Sequence, residues 1–206
     1  MHSIFLFMVG LCWDLMGLFW LGAAIWYAVR LDGSPGGKVM HFLKTVFPEP
    51  VLLLLIPLAF ILIGLVPASF WSHLTLVQPV IQIVGITLLV VCTIWIIWAR
   101  IVLAEMWAGR PMLQTEHQLR TEGPYRITRH PIYSSLIGMF LGTTLVIGFG
   151  SLLALLIGAL LMVAWRIPVE ERMMISIFGD RYLQYRQQVP TLIPSPLRLF
   201  NSTKQA

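Results

Sequence analysis

The densest run of side chains able to do chemistry is Thr121-Glu122-Gly123-Pro124-Tyr125-Arg126-Ile127-Thr128-Arg129-His130-Pro131-Ile132-Tyr133. Gly123-Pro124 reads as a turn. Pro131 suits the first position of a helix, where its fixed φ and missing N–H do no harm. A helix starting there leaves the amides of Ile132 and Tyr133 without intrahelical acceptors, and such amides form a natural anion site in a low-dielectric setting. The plainer alternative is a capped helix whose Arg, His and Tyr side chains anchor it at a membrane surface. A second run is Arg166-Ile167-Pro168-Val169-Glu170-Glu171. Arg166 and Glu170 are four residues apart, so a continuous helix puts them on one face, either as a binding pair or as an interfacial salt bridge. Pro168 between them predicts a kink.

Other reactive residues are scattered. Cys12 and Cys92 each lie in an apolar run, with no CxxC or Cys/His spacing, and read as small buried side chains. No His/Cys/Asp/Glu cluster has metal-ligand spacing, so no metal is expected. His41 and His73 stand alone in connections. Asp14 is an acid inside an apolar run, and Gly10, Asp14 and Gly17 share a helical face, which predicts contact with another helix.

The elements that must position these residues are membrane helices. The chain has 206 residues, 58% hydrophobic and 11% charged, with a mean hydropathy of +0.83. A soluble domain carries about 25% charged residues. The net charge of +5 would suit nucleic acid in a soluble protein. Here the basic residues flank apolar runs, so lipid headgroups are the expected partners and nucleic acid is not. Five segments approach the length of about 20 residues that a hydrocarbon core requires. They run from about Ile4 to Val29, Val51 to Pro67, Val80 to Leu103, Pro131 to Gly148 and Ser151 to Ile167. Gly148-Phe149-Gly150 makes the last two a tight hairpin. Pro168 then opens an interfacial helix in which aromatic and basic residues alternate through Phe178, Arg181, Tyr182, Tyr185 and Arg186. Trp13, Trp20, Trp26, Trp71 and Trp107 are placed as an aromatic belt.

Five spans put all 14 Lys and Arg on one side of the bilayer. The excess of positive charge on cytoplasmic loops then orients the chain with its N-terminus outside. The expected architecture is all-α: a single polytopic membrane domain over residues 1–206, with about five transmembrane helices and an interfacial C-terminal helix.

GPYRITRHPIY followed by EERMMISIFGDRYLQYRQQVP resembles the isoprenylcysteine carboxyl methyltransferase family of integral membrane enzymes. That family carries a Gly-x-Tyr turn, an Arg-His-Pro-x-Tyr helix start, a Glu-Glu pair, Phe-Gly-x-x-Tyr-x-x-Tyr and a late Val-Pro. Trp98-Ala99-Arg100-Ile101-Val102-Leu103 is similar to the end of its preceding helix. The resemblance covers residues 98–194, whereas residues 1–97 carry no recognised motif. It implies S-adenosylmethionine as methyl donor, held in a cytoplasm-facing pocket. Carried over by position, His117, Gln118, Leu119 and Arg120 form the cofactor segment before the turn. Gln118 and Arg120 do not match by type and enter through their backbones alone. Tyr125 matches the turn tyrosine. His130, Pro131, Ile132 and Tyr133 match the helix-start cofactor motif. Glu170 matches the cofactor-binding glutamate, and Arg166 the arginine beside the acceptor carboxylate. The implied acceptor is lipophilic: a small molecule, a lipid or a lipid-modified group such as a prenylcysteine carboxylate. In a bacterium the location would be the inner membrane.

Three alternatives stay open at this stage. A phospholipid N-methyltransferase uses the same donor on an amine, and Arg166 argues for an anionic acceptor instead. A nicotinamide-dependent reductase of the sterol type also has an Arg-His-Pro start, but Ile132 replaces its usual Asn and Ser134-Ser135-Leu136 supplies no acid. A non-catalytic membrane scaffold is the third.

Overall fold

The computed structural model describes residues 2–30, 61, 63–103 and 119–193; side chains are described from 3 to 26 in the first of these. Among them the helices are α1 (His2–Arg30), α2 (Ala68–His73), α3 (Pro79–Leu103), α4 (Pro124–Ile127), α5 (Pro131–Ile147), α6 (Leu152–Phe178) and α7 (Asp180–Gln188). The chain is an all-α polytopic membrane protein, as its composition predicts. Among the described residues three helices are long and apolar enough to cross a membrane, over Ser3–Trp26, Pro79–Leu103 and Leu152–Phe178. With 17 residues, α5 stands at the short end of the spanning range of about 17–25. The expected span from Val51 to Pro67 lies mostly outside the described residues.

The centre of the bundle is the antiparallel pair α3 and α5, with α1 packed on both and α6 packed against α5. The α3–α5 contact is close because it is built on glycine. A Cβ on Gly85 would fall 2.8 Å from the Gly142 carbonyl oxygen, and one on Gly142 would fall 2.7 Å from that of Gly85. Small residues let helix backbones approach in lipid, where dispersion between them replaces the hydrophobic drive. Leu89, Ile96, Met139 and Val146 are buried in this seam. At the end of the seam that holds the N-terminus of α3, the Gln82 side chain donates to the Val146 carbonyl at 2.8 Å.

Trp13 and Trp20 depart from the belt expectation. Both pack against the buried core. Trp13 donates its indole N–H to Thr143 Oγ1 at 3.0 Å, and the Arg100 guanidinium sits 5.7 Å over the Trp20 ring. An indole has one donor and a large apolar face, so it satisfies a helix–helix contact as readily as an interface. Asp14 is exposed, and the faces at Gly10 and Gly17 are open among the described residues.

The hairpin between α5 and α6 forms as predicted. Gly148, Phe149 and Gly150 all have positive φ, at 104°, 66° and 53°, and Phe149 bridges to Thr75. The helix after it does not end where expected. Pro168 lies inside α6, which runs unbroken from Leu152 to Phe178. Proline removes one helical hydrogen bond and crowds the preceding turn; the helical residues on both sides of it carry α6 across that local defect. The break comes instead at Gly179, whose φ of 54° only glycine adopts easily. The separate C-terminal helix is therefore α7, Asp180–Gln188.

Candidate active site

The C-terminal end of α3, the start of α5 and the last turns of α6 meet at one end of the bundle, and the described residues of the predicted site gather there. Pro131 occupies the first turn of α5 with His130 as its cap. Among the described residues the amides of Ile132 and Tyr133 have no acceptor, as a helix start predicts. The Tyr133 hydroxyl donates to Glu170 Oε1 at 2.5 Å. Arg166 Nε lies 3.0 Å from the same carboxylate oxygen and donates to the Tyr133 hydroxyl at 3.2 Å. The unbroken α6 puts Arg166 and Glu170 on one face despite Pro168, and their side chains keep 21% and 25% exposure. This cluster is reachable from outside the protein.

His130 stacks on Tyr133 with ring centroids 5.7 Å apart. Its Nδ1 is 3.7 Å from Glu170 Oε2 and its Nε2 is 3.5 Å from Glu171 Oε1. Nε2 is buried without a hydrogen bond among the described residues. Burial pulls the imidazole pKa below its usual value, and the two glutamates only partly oppose it. His130 is thus held toward its neutral form, with Nε2 facing Glu171.

Tyr125 follows the turn at Gly123, whose φ is 56°. Its carbonyl accepts a 2.5 Å hydrogen bond from the Tyr185 hydroxyl. Burial pushes the Tyr125 hydroxyl above the usual tyrosine range. Tyr185 adds to the push, Arg100 opposes it, and Glu170 and Tyr133 add smaller contributions, which places Tyr125 within electrostatic reach of the cluster. Leu119 packs on Tyr182, Tyr185 and Val189. Burial, with Glu171 second, pushes the Tyr182 hydroxyl up to about 12. Arg120 has a buried Nε without a hydrogen-bond partner among the described residues. His117 and Gln118 lie outside the described residues.

Two residues that the sequence reading gave no role are central to the geometry. Arg129 donates from Nε and Nη2 to Glu171 Oε1, at 2.9 and 2.6 Å. It also donates to Thr191 Oγ1 at 2.8 Å, to the Arg186 carbonyl at 3.0 Å and to the Val189 carbonyl. The Arg129 and Glu171 side chains are 7% and 9% exposed. Removing one member of such a buried pair costs about 3–5 kcal/mol, because the other charge stays behind. The signal for both was present, since Arg129 precedes the His-Pro pair and Glu171 completes the Glu-Glu pair. A recess of about 420 Å³ opens nearby beside Leu119, Arg126, Arg181 and Tyr185. It does not touch His130, Tyr133 or Glu170, so the reactive cluster is a separate place.

The sulfonium, ammonium and carboxylate of S-adenosylmethionine can be matched to this set. The unbonded amides of Ile132 and Tyr133 suit a carboxylate. Glu170 suits an ammonium or a ribose hydroxyl, and the ring faces of Tyr125 and Tyr133 suit a cation.

Comparison with known proteins points the same way. The family model described as phospholipid methyltransferase matches residues 80–181, so the match begins near the start of α3. The chain is 40% identical over 80 residues to the protein-S-isoprenylcysteine O-methyltransferase of Schizosaccharomyces pombe, covering 38% of this chain and 34% of that protein. It is 37% identical over 82 residues to protein-S-isoprenylcysteine O-methyltransferase B of Arabidopsis thaliana, covering 39% and 42%. It is 32% identical over 94 residues to the methanethiol S-methyltransferase of Pseudomonas deceptionensis, covering 43% and 33%. The chain thus spans about a third to two fifths of the length of these relatives. The matched region holds the start of α5 and the Arg166–Glu171 face of α6, and over it the chain is similar to the phospholipid methyltransferase family and to protein-S-isoprenylcysteine O-methyltransferases.

Proposed function

We propose that the chain is an S-adenosylmethionine-dependent methyltransferase acting at the cytoplasmic membrane surface on a lipophilic acceptor, the first choice being a carboxylate of the prenylcysteine kind. The observation that carries this reading is the convergence of Tyr133, Glu170 and Arg166 beside the open amides of α5. The bound donor supplies an electrophilic methyl group on a sulfonium. The protein's own residues then have three tasks. Ile132 and Tyr133 hold the donor's carboxylate, and Glu170 holds its ammonium or ribose. Arg166 turns toward the acceptor and neutralises an anionic group next to the sulfonium. The helices keep donor and acceptor in line, which is the main source of rate in a displacement of this type.

A carboxylate acceptor is already ionised at neutral pH and needs no general base. That agrees with His130, the imidazole among the described residues of the site, being buried beside two carboxylates. A second reading, thiol methylation, is favoured by the similarity to methanethiol S-methyltransferases. A thiol must lose its proton to react well, and in this reading His130, held toward its neutral form, takes it. Supplying radiolabelled donor with a prenylcysteine, with methanethiol and with phosphatidylethanolamine decides among the acceptors. Label in the prenylcysteine ester supports the first reading. Label in the thioether alone selects the second, and label in the amine lipid alone removes the role given to Arg166.

The one-sided placement of Lys and Arg supports five spans with the N-terminus outside and the site on the cytoplasmic face. The whole chain is read as one membrane domain.

A further inference from the structure

We propose that Arg129 and Glu171 are positioning residues for the donor pocket, acting through a strap formed by residues 186–192. The inference rests on the reading of the Ile132–Tyr133 turn as a donor site. The strap crosses the start of α5 and is tied to it by both main chain and side chains. The Arg129 amide donates to the Pro190 carbonyl at 2.9 Å and the His130 amide to the Thr191 carbonyl at 3.1 Å. Ser134 Oγ donates to the Leu192 carbonyl at 2.6 Å. The Arg129 guanidinium reaches three further strap groups, at Arg186, Val189 and Thr191.

These bonds leave the first turn of α5 little freedom. The His130 backbone is held at φ −123° and ψ 61°, and its amide is spent on the strap. The two amides that follow remain open and share one fixed direction. A pocket that reads a carboxylate by two backbone N–H groups needs that fixed direction, because binding affinity depends on not having to order the groups on arrival.

Glu171 holds the other side of Arg129. It is 7% exposed, takes two N–H bonds from Arg129 and has Arg186 Nε 3.4 Å away. It could accept a ligand's ammonium only by releasing Arg129. Glu170 is more exposed and faces Tyr133 and Arg166. The adjacent glutamates therefore divide the work: Glu170 toward the ligand, Glu171 toward the strap. Lysine cannot replace Arg129, because one ammonium lacks the planar fork that serves Glu171 and the strap together.

The test compares wild type, Arg129→Lys and the strap-side double variant Thr191→Val with Ser134→Ala. Each is measured for melting, hydrogen exchange at the Arg129 and His130 amides, and S-adenosylhomocysteine affinity by calorimetry. Arg129→Lys is expected to speed exchange at both amides and to weaken the ligand about tenfold in the folded fraction, equivalent to about 1.4 kcal/mol. Donor KM should rise while kcat at saturating donor stays unchanged. The double variant should show the same pattern more weakly, and it carries the test if Arg129→Lys does not fold. Lower melting with unchanged exchange, affinity and donor KM would overturn the proposal. A wild type that protects both amides yet binds no S-adenosylhomocysteine would overturn it from the other side, by removing the donor reading while the strap stands.

Discussion

The Tyr133 hydroxyl donates to Glu170 Oε1 at 2.5 Å across 37 residues of sequence. This bond ties the first turn of α5 to the last turns of α6 at the point where Arg166 also arrives. A structural salt bridge and a ligand cluster predict different behaviour here. In the ligand account, Glu170→Gln weakens donor binding about tenfold or more, since a charge-assisted hydrogen bond contributes about 1.5–3 kcal/mol. Arg166→Ala leaves donor affinity nearly intact and abolishes turnover of an anionic acceptor. Melting and calorimetry on both variants check this. Equal losses of stability, with donor affinity following the folded fraction, would reduce the pair to a brace.

His130 gives a pH dependence with a definite sign. Burial lowers its folded-state pKa below the ordinary 6.5. The unfolded chain therefore takes up a proton at about pH 6.5 that the folded chain refuses. The stability associated with neutral His130 is full above that pH and falls as the pH drops below it. Melting of the wild type should decline more steeply between about pH 7 and 5.5 than melting of His130→Gln. Parallel declines would mean that His130 titrates normally.

Much of this arrangement was legible in the sequence. The hydropathy runs located α1, α3 and α5 and the start of α6 within a few residues, because lipid imposes a length and an apolar composition on every span. The i, i+4 spacing of Arg166 and Glu170 put them on one face, and Pro131 fixed the start of α5. Arg129 was not legible as a hub. Its partners lie 42 to 62 residues away, and no local rule couples such positions. The continuation of α6 through Pro168 was also hidden, since a proline reads as a helix start as readily as an interior position. Trp13 was misplaced for a related reason: its partner Thr143 is 130 residues distant.

The glycine contact between α3 and α5 predicts that the site is sensitive to packing far from it. Gly142→Ala places a Cβ 2.7 Å from the Gly85 carbonyl oxygen and 3.0 Å from the Leu89 amide nitrogen. Both neighbours are backbone and cannot rotate away. Overpacking of this kind costs about 1–3 kcal/mol. Gly158→Ala, where nothing lies within 4 Å, serves as the control and should melt like wild type. Equal melting of the two variants would show that the helices separate without penalty.

The five-span topology predicts opposite sidedness for positions 72 and 202. With Cys12 and Cys92 first replaced, a membrane-impermeant thiol reagent applied to intact cells should label Ser72→Cys and not Ser202→Cys. Labelling of both from one side would remove the topology, and with it the cytoplasmic position of the site.

Calorimetry of the purified protein with S-adenosylmethionine, and separately with NADPH, tests the central claim most directly. The account predicts saturable binding of S-adenosylmethionine, lost in His130→Ala and Tyr133→Ala variants that still fold, and no binding of NADPH. Binding of NADPH without S-adenosylmethionine would contradict it, as would S-adenosylmethionine affinity unchanged in both variants.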